Sequence, residues 1–118
     1  RVRRMSLGSG LPLEISVEQT QQVLADDDAL VLLDCREQDE YNTAKIEAAT
    51  LIPMSEIQQR IVEVRAMADK RIVVHCHHGG RSLQVAQWLL SQGFQRVQNM
   101  TGGIDAWSQR IDPNVPRY

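Results

Sequence analysis

The sequence has few aromatic residues, no long apolar run and no block of basic charge in its interior. Phe, Trp and Tyr make up only 4% of the 118 residues, too few for a platform that stacks nucleic-acid bases. No run approaches the roughly 20 apolar residues of a membrane-spanning helix, and no secretory signal pattern is present. A net charge of −2, with basic clustering only at the first four residues, argues against a nucleic-acid or anionic-membrane binder.

Cysteine is also scarce, since the chain carries only Cys35 and Cys76. Two cysteines do not make a disulfide framework, so we expect a reducing compartment, the cytoplasm. The length of 118 residues and the apolar content of 42% predict one domain with a single core. We expect a flexible leader over residues 1–12, the folded domain over 13–112 and a C-terminal tail over 113–118.

Short apolar runs alternate with amphipathic segments along the chain. The apolar runs predict five strands, at residues 13–15, 29–33, 51–53, 72–74 and 96–100. Ser16, with Gln19 as its capping-box partner, predicts the start of the first helix. Further helical segments are expected at 37–42, 55–68 and 82–92, and from 104. This order predicts an α/β fold with a central, mostly parallel five-stranded sheet and helices on both faces.

The segment 71–82 predicts a strand, a tight loop carrying the thiol of Cys76, and a helix that begins at once. A helix N-terminus offers unpaired backbone N–H groups and the positive end of a dipole, which together favour a thiolate. Asp34 also follows a predicted strand. Ligands of parallel sheets lie beyond the carboxyl ends of the strands, so Asp34 and Cys76 are expected on the same edge.

Three interpretations of this loop compete. A metal site made from His75, Cys76, His77 and His78 is disfavoured, because four consecutive residues cannot all converge on one ion and no second ligand pair is evident. We therefore assign no metal and no cofactor. A purely structural loop is disfavoured because a cysteine, two glycines and Arg-Ser are costly in a simple connection. Nucleophilic thiol chemistry is the interpretation that we prefer.

The spacing of the loop separates two kinds of thiol chemistry. Protein tyrosine phosphatases place five residues between the cysteine of a His-Cys pair and an arginine that precedes Ser or Thr. Here four residues separate Cys76 from Arg81-Ser82. The shorter ring has room for about one atom beyond the thiol, which favours transfer of a sulfur atom over phosphate chemistry.

The chain resembles the single-domain rhodaneses, which are thiosulfate sulfurtransferase-like proteins. Three motifs carry the resemblance over roughly residues 13–112, in the family's order. The Cys-x-x-Gly-x-Arg-Ser loop is present at 76–82, Asp-Val-Arg appears as 34–36 with Cys35 in the middle, and Gly-Gly-x-x-Ala-Trp appears at 102–107. One segment departs from the family, because 45–49 reads Lys-Ile-Glu-Ala-Ala in place of His-Ile-Pro-Gly-Ala.

The resemblance implies a rhodanese-like domain that takes a sulfane sulfur from a small anion such as thiosulfate. Cys76 would hold the sulfur as a persulfide and pass it to a thiol or protein acceptor, with neither nucleic acid nor membrane as a partner. The loop that binds the persulfide would comprise His77, His78, Gly79, Gly80 and Arg81.

Asp34 and Ser82 are expected to support the loop. Arg81 would either pair with Asp34 or be solvated, and Ser82 would cap the helix. His77 and His78 would face the entrance or simply be exposed, and Cys35 is expected to be inert packing rather than a resolving thiol. The alternatives are a rhodanese-like sulfur-relay or interaction module without turnover, and a Cys-dependent phosphatase or arsenate reductase.

Overall fold

A computed structural model describes residues 10–27 and 29–118, and the part of the predicted leader over residues 1–9 lies outside the described residues. Strands and helices alternate along the chain, as the sequence pattern predicts. The strands are β1 Glu14–Ile15, β2 Leu30–Asp34, β3 Ala49–Leu51, β4 Arg71–His75 and β5 Val97–Met100. The helices are α1 Val17–Asp26, α2 Gln38–Thr43, α3 Ile61–Arg65, α4 Gly80–Ser91 and α5 Gly103–Arg110.

The five strands form one sheet in the order β1-β5-β4-β2-β3, and every pairing is parallel. The predicted five-stranded α/β architecture is therefore confirmed. Strands β2 and β4 are neighbours at the centre, with Asp34 opposite His75 in their register. The residue after each strand, Cys35 and Cys76, consequently lies at the same edge of the sheet.

Side chains alternate between two apolar layers, one on each face of the sheet. Leu33 and Val74 point into the layer that α3 and α4 cover, together with Val85 and Leu89. Leu32 and Val73 point into the opposite layer, which α1 and α5 cover. Burial of both faces explains why the central strands have near-continuous apolar sequences rather than alternating ones.

The start of α1 is as predicted. The Ser16 hydroxyl accepts a hydrogen bond from the Gln19 N–H, and the Gln19 side chain accepts one from the Ser16 N–H, both at 3.0 Å. This reciprocal pair satisfies two backbone donors that the first turn would otherwise leave unpaired.

The single helix predicted over 55–68 is wrong in length. Residues 54–60 form turns, and the helix is restricted to Ile61–Arg65. Ser55 does not cap it, because the Ser55 hydroxyl donates to Glu37 at 2.7 Å. The apolar periodicity is nevertheless real, since Ile57 and Val64 are both buried in the same layer.

Among the described residues, none of the helices combines the length and the apolar character needed to cross a lipid bilayer.

Candidate active site

Cys76 lies directly after β4, at the start of a loop that we call the Cys76 loop, residues 76–82. Its Sγ accepts hydrogen bonds from the Gly79 N–H at 3.1 Å and from the Ser82 N–H at 3.4 Å. The Ser82 hydroxyl lies 3.3 Å from the same sulfur. Cys76 is only 1% exposed, so these donors surround a sulfur atom that is almost removed from water. The Cys76 loop therefore forms a nest of donors around the sulfur.

Burial and hydrogen bonding act on the Cys76 thiol in opposite directions. Burial raises the pKa of Cys76, whereas hydrogen bonds from the Ser82 hydroxyl and from the N–H groups of Ser82, Gly79 and His78 lower it. The hydrogen bonds prevail, and the pKa of Cys76 lies below its usual value. This arrangement therefore favours the thiolate, which is the form in which a cysteine can act as a nucleophile.

The role predicted for Ser82 as a helix cap is wrong. Helix α4 begins two residues earlier, at Gly80, with Gly79 as its N-cap at a left-handed φ of 113°. Ser82 is buried in the first turn, where its hydroxyl contacts Cys76 Sγ and donates to Asn99 Oδ1. The Asn99 amide in turn donates to Glu14 at 3.0 Å, so a polar chain runs from β1 to the sulfur. Asn99 and Glu14 were not identified from the sequence.

Backbone hydrogen bonds from the first turn of α5 fix the position of the Cys76 loop. The Ile104 N–H donates to the Cys76 carbonyl at 2.9 Å, and the Asp105 N–H donates to the His77 carbonyl at 3.1 Å. These bonds hold the carbonyls of the loop on the side of α5, away from the amides that face the sulfur. A Cβ at Gly103 would overlap both of those carbonyls. The Gly102-Gly103 motif therefore permits a close approach of α5 that no larger residue allows.

Asp34 pairs with Arg36 and not with Arg81, so that alternative for Arg81 is wrong. The Arg36 guanidinium makes a bidentate contact with Asp34, with a shortest distance of 2.7 Å, and both side chains are fully buried. Arg36 also donates to the Ala44 carbonyl at 2.7 Å. This ion pair ties the end of β2 to the segment that follows α2. Asp34 thus supports the strand end rather than the Cys76 loop.

Arg81 is not simply solvated either, because it pairs with Glu40 of α2. Its NH1 and NH2 groups donate to the two Glu40 oxygens at 2.7 and 2.9 Å. The Arg81 side chain lowers the pKa of Glu40 to about 2, although partial burial of the carboxyl opposes the shift. Since both terminal nitrogens of Arg81 are engaged, this side chain connects the Cys76 loop to α2. The sequence did not identify Glu40.

The two histidines of the Cys76 loop lie in different surroundings. The His78 side chain is 67% exposed, whereas His77 is half-buried and stacks on Tyr118 with 3.9 Å between ring centroids. The Tyr118 hydroxyl donates to Glu40 at 2.9 Å and accepts from Arg36 at 3.0 Å. Residue 118 of the predicted tail therefore packs against the Cys76 loop, a contact that the sequence does not indicate.

Cys35 lies directly after β2 and is fully buried in the apolar layer that α3 and α4 cover. Its burial, together with the nearby Cys76 and Asp34, raises the pKa of Cys35 far above its usual value. A thiol in this environment stays protonated at neutral pH. These surroundings are those of a buried packing residue, and the absence of a role in the chemistry stays a prediction.

The segment that departs from the rhodanese pattern, 45–49, lies beside a groove of about 660 Å³. Residues 45–48 line this groove together with Tyr41, Trp107 and Val115, and no residue of the Cys76 loop does. The departure therefore changes a surface separate from the donors around Cys76.

Comparison with known proteins shows similarity over most of the chain. The family model described as "Rhodanese-like domain" matches residues 16–110. A sulfurtransferase of Allochromatium vinosum is 38% identical over 102 residues, which cover 86% of this chain and 94% of that protein. The Arabidopsis thaliana chloroplast protein named rhodanese-like/PpiC domain-containing protein 12 is 36% identical over 110 residues. That alignment covers 89% of this chain but only 37% of the plant protein.

Among solved structures, the thiosulfate sulfurtransferase of Pseudomonas aeruginosa superposes with a TM-score of 0.72 and 29% identity. The superposition covers 81% of this chain and 18% of the Pseudomonas chain.

Proposed function

This chain belongs to the rhodanese-like family, as its motifs predict, and we propose that it is a sulfurtransferase in which Cys76 carries a sulfane sulfur as a persulfide. The observation that carries the proposal is the nest of donors at Cys76 Sγ, from the N–H groups of Gly79 and Ser82 and from the Ser82 hydroxyl. The names of its relatives support sulfur transfer as the general activity.

Thiosulfate is the donor that we propose. The Cys76 thiolate attacks the outer sulfur of thiosulfate, an S–S bond forms to that sulfur, and the S–S bond of thiosulfate breaks. Sulfite leaves with the electron pair, and the negative charge passes to the outer sulfur of the persulfide. The amides of the Cys76 loop and the first turn of α4 stabilise that charge, which lies one atom beyond Sγ.

A thiophilic acceptor completes the cycle. Its sulfur or carbon nucleophile attacks the outer persulfide sulfur, the persulfide S–S bond breaks, and the electron pair returns to Cys76 as a thiolate. Cyanide gives thiocyanate in this step, and a thiol or protein acceptor gives a new persulfide. No redox partner is required, because the sulfur atom is transferred without its bonding electrons.

The two cysteines, both free in the structure, suit a reducing compartment such as the cytoplasm.

The pairing of Arg81 argues against a phosphatase. An arginine that binds a phosphoryl group must direct its terminal nitrogens at the phosphate oxygens. In this chain both terminal nitrogens of Arg81 donate to Glu40. The loop is also one residue shorter than in the phosphatases, so neither the arginine nor the ring suits a phosphoryl group.

The test is incubation of the protein with thiosulfate, followed by intact mass spectrometry and a sulfite assay. We expect an adduct of about 32 Da, one sulfur atom, with release of an equivalent amount of sulfite. The adduct should be absent in Cys76→Ser and present in Cys35→Ser, the matched control at the other cysteine. Absence of the adduct in the unaltered protein would refute thiosulfate as donor, and release of phosphate from an aryl phosphate would favour the phosphatase.

Turnover is tested separately with thiosulfate and cyanide. Sustained formation of thiocyanate is the expected result for an enzyme. A persulfide that forms but does not turn over would instead favour a sulfur-relay module.

A further inference from the structure

Three potential metal ligands from two parts of the chain meet beside the Cys76 loop. His77 and His78 belong to the loop, and Asp105 lies in the first turn of α5. Their ligand atoms all lie within 4.8 Å of one another. His78 Nε2 is 3.8 Å from Asp105 Oδ2, and the two histidine rings are 3.9 Å apart between centroids. The sequence alone offered only adjacent histidines, and the fold supplies a third ligand from elsewhere.

His77 contributes a second observation, because its Nε2 is buried without a hydrogen-bond partner among the described residues. Buried polar atoms in folded proteins nearly always have a partner, since an unpaired one loses its interactions with water and gains nothing in return. A ring nitrogen with an available lone pair is the atom that a metal ion uses. The residue that carries this atom belongs to the same cluster as His78 and Asp105.

We propose that His77, His78 and Asp105 form a binding site for one divalent transition-metal ion of the Zn²⁺ or Co²⁺ type. Two imidazoles and one carboxylate suit these ions, whereas Mg²⁺ and Ca²⁺ prefer oxygen ligands alone. Three protein ligands leave the fourth tetrahedral position for water. The proposed site is distinct from the sulfur nest, because its ligands are side chains and the nest is formed mainly by backbone amides.

The observed distances are compatible with binding after a small adjustment. Bonds of about 2.0–2.2 Å in a tetrahedral arrangement place ligand atoms about 3.4 Å apart. The widest separation in the cluster, at most 4.8 Å, must therefore shrink by about 1.4 Å. His78 can make most of this movement because its side chain is 67% exposed.

Arg117 competes for the same carboxylate. Its Nε lies 2.9 Å from Asp105 Oδ1, and its NH2 group lies 3.4 Å from Asp105 Oδ2. The guanidinium places a positive charge beside the site, which disfavours a metal cation. Removal of this charge should therefore strengthen metal binding, whereas loss of the Asp105 charge should weaken it. These opposite effects distinguish a three-ligand site from adventitious binding to the two histidines.

The experiment is a titration of the full chain carrying Cys76→Ser with Co²⁺ alone, followed by its visible absorption. Serine removes the thiolate, a competing soft ligand, so the bands report nitrogen and oxygen ligands. We expect saturable binding of one Co²⁺, weakened about tenfold or more by Asp105→Asn or His78→Gln. Arg117→Gln should tighten binding several-fold, and Zn²⁺ should displace Co²⁺.

The matched control is Glu18→Gln. Glu18 also pairs with an arginine, Arg110, at 2.7 Å, but it does not belong to the cluster of potential ligands. This substitution should leave Co²⁺ affinity unchanged. Absence of saturable binding would overturn the proposal. Equal affinity in the Asp105→Asn, Arg117→Gln and unaltered backgrounds would overturn it too, because binding would then involve the histidines alone. Since Cys76 is absent throughout, the result is independent of whether the protein transfers sulfur.

Discussion

The hydroxyl of Ser82 is expected to control how readily Cys76 ionises, and Ser82→Ala tests this directly. The hydroxyl lies 3.3 Å from Cys76 Sγ and is among the groups that lower the pKa of Cys76 against the effect of burial. Alanine removes this donor but keeps the backbone N–H of residue 82, which also contacts the sulfur. The pKa of Cys76 should therefore rise in the variant.

The size of the effect follows from how the hydroxyl is shared. A hydrogen bond to a charged group contributes about 1.5–3 kcal/mol. The single hydroxyl proton of Ser82 is shared with Asn99 Oδ1, and sulfur is a weak acceptor. We therefore expect the substitution to destabilise the Cys76 thiolate by about 1 kcal/mol. At pH values below the pKa of Cys76, this loss lowers the fraction of Cys76 that is ionised by about fivefold.

The assay is the rate of alkylation by iodoacetamide as a function of pH, in a Cys35→Val background so that Cys76 is the sole thiol. We expect the inflection of the profile at higher pH in Ser82→Ala, with a rate about fivefold lower on the acid side and little change on the alkaline plateau. Ser91→Ala is the matched control, because its hydroxyl donates to the Trp88 carbonyl at the exposed end of α4.

Two results would refute this reasoning. An unchanged inflection would show that Ser82 does not act on ionisation. An equal fall in rate at every pH would show that the substitution changes access to the sulfur rather than its charge.

Three further predictions concern the surroundings of Cys76. Glu40→Gln removes the pair with Arg81 and should lower the free energy of unfolding by about 1–2 kcal/mol at neutral pH, a value discounted because Arg81 is 37% exposed. Since the pKa of Glu40 is depressed from 4.5 to about 2, the difference should persist above pH 4.5 and vanish as pH falls to about 2. Gly103→Ala should destabilise the protein by about 2–3 kcal/mol and slow persulfide formation, because its Cβ overlaps backbone carbonyls. Cys35→Val should form the Cys76 persulfide at an unchanged rate.

Each of these predictions has a control and a contrary outcome. The control for Glu40→Gln is Glu63→Gln, whose pair with Arg60 is on the surface. Its free energy of unfolding in urea should show no comparable pH-dependent loss. A loss of stability in Glu40→Gln that is constant with pH would contradict the predicted link to the ionisation of Glu40. Gly80→Ala is the stability control for Gly103→Ala, because a Cβ at Gly80 meets nothing within 4 Å. Normal stability of Gly103→Ala would show that α5 can move away at little cost. A slow persulfide reaction in Cys35→Val would assign Cys35 a role in the chemistry.

Local sequence pattern was sufficient for the architecture and for the position of Cys76 at the carboxyl end of a strand. Runs of apolar residues, buried on both faces of the sheet, predicted the order of strands and helices, and the parallel sheet is as expected. The four residues between Cys76 and Arg81 and the glycines of the loop predicted a tight turn at the carboxyl end of a strand. Both signals are short-range, so they can be interpreted without knowledge of the rest of the chain.

Side-chain partners depended instead on the three-dimensional arrangement. Asp34 was considered as a partner of Arg81 because both lie at the same edge of the sheet. In the structure Arg36 donates to Asp34 instead, and Arg81 donates to Glu40. The predicted helix cap at Ser82 became a buried donor because α4 begins at Gly80 and directs the hydroxyl toward Asn99.

The groups around the Cys76 loop come from separate parts of the chain. They include Glu14 from β1, Asp105 from α5 and Tyr118 beyond it. Which of them meet is decided by strand register, by the close approach of α5 at Gly103 and by competition among several charged groups for each partner. Sequence spacing alone encodes none of these, because each depends on distances between residues that are far apart in the chain.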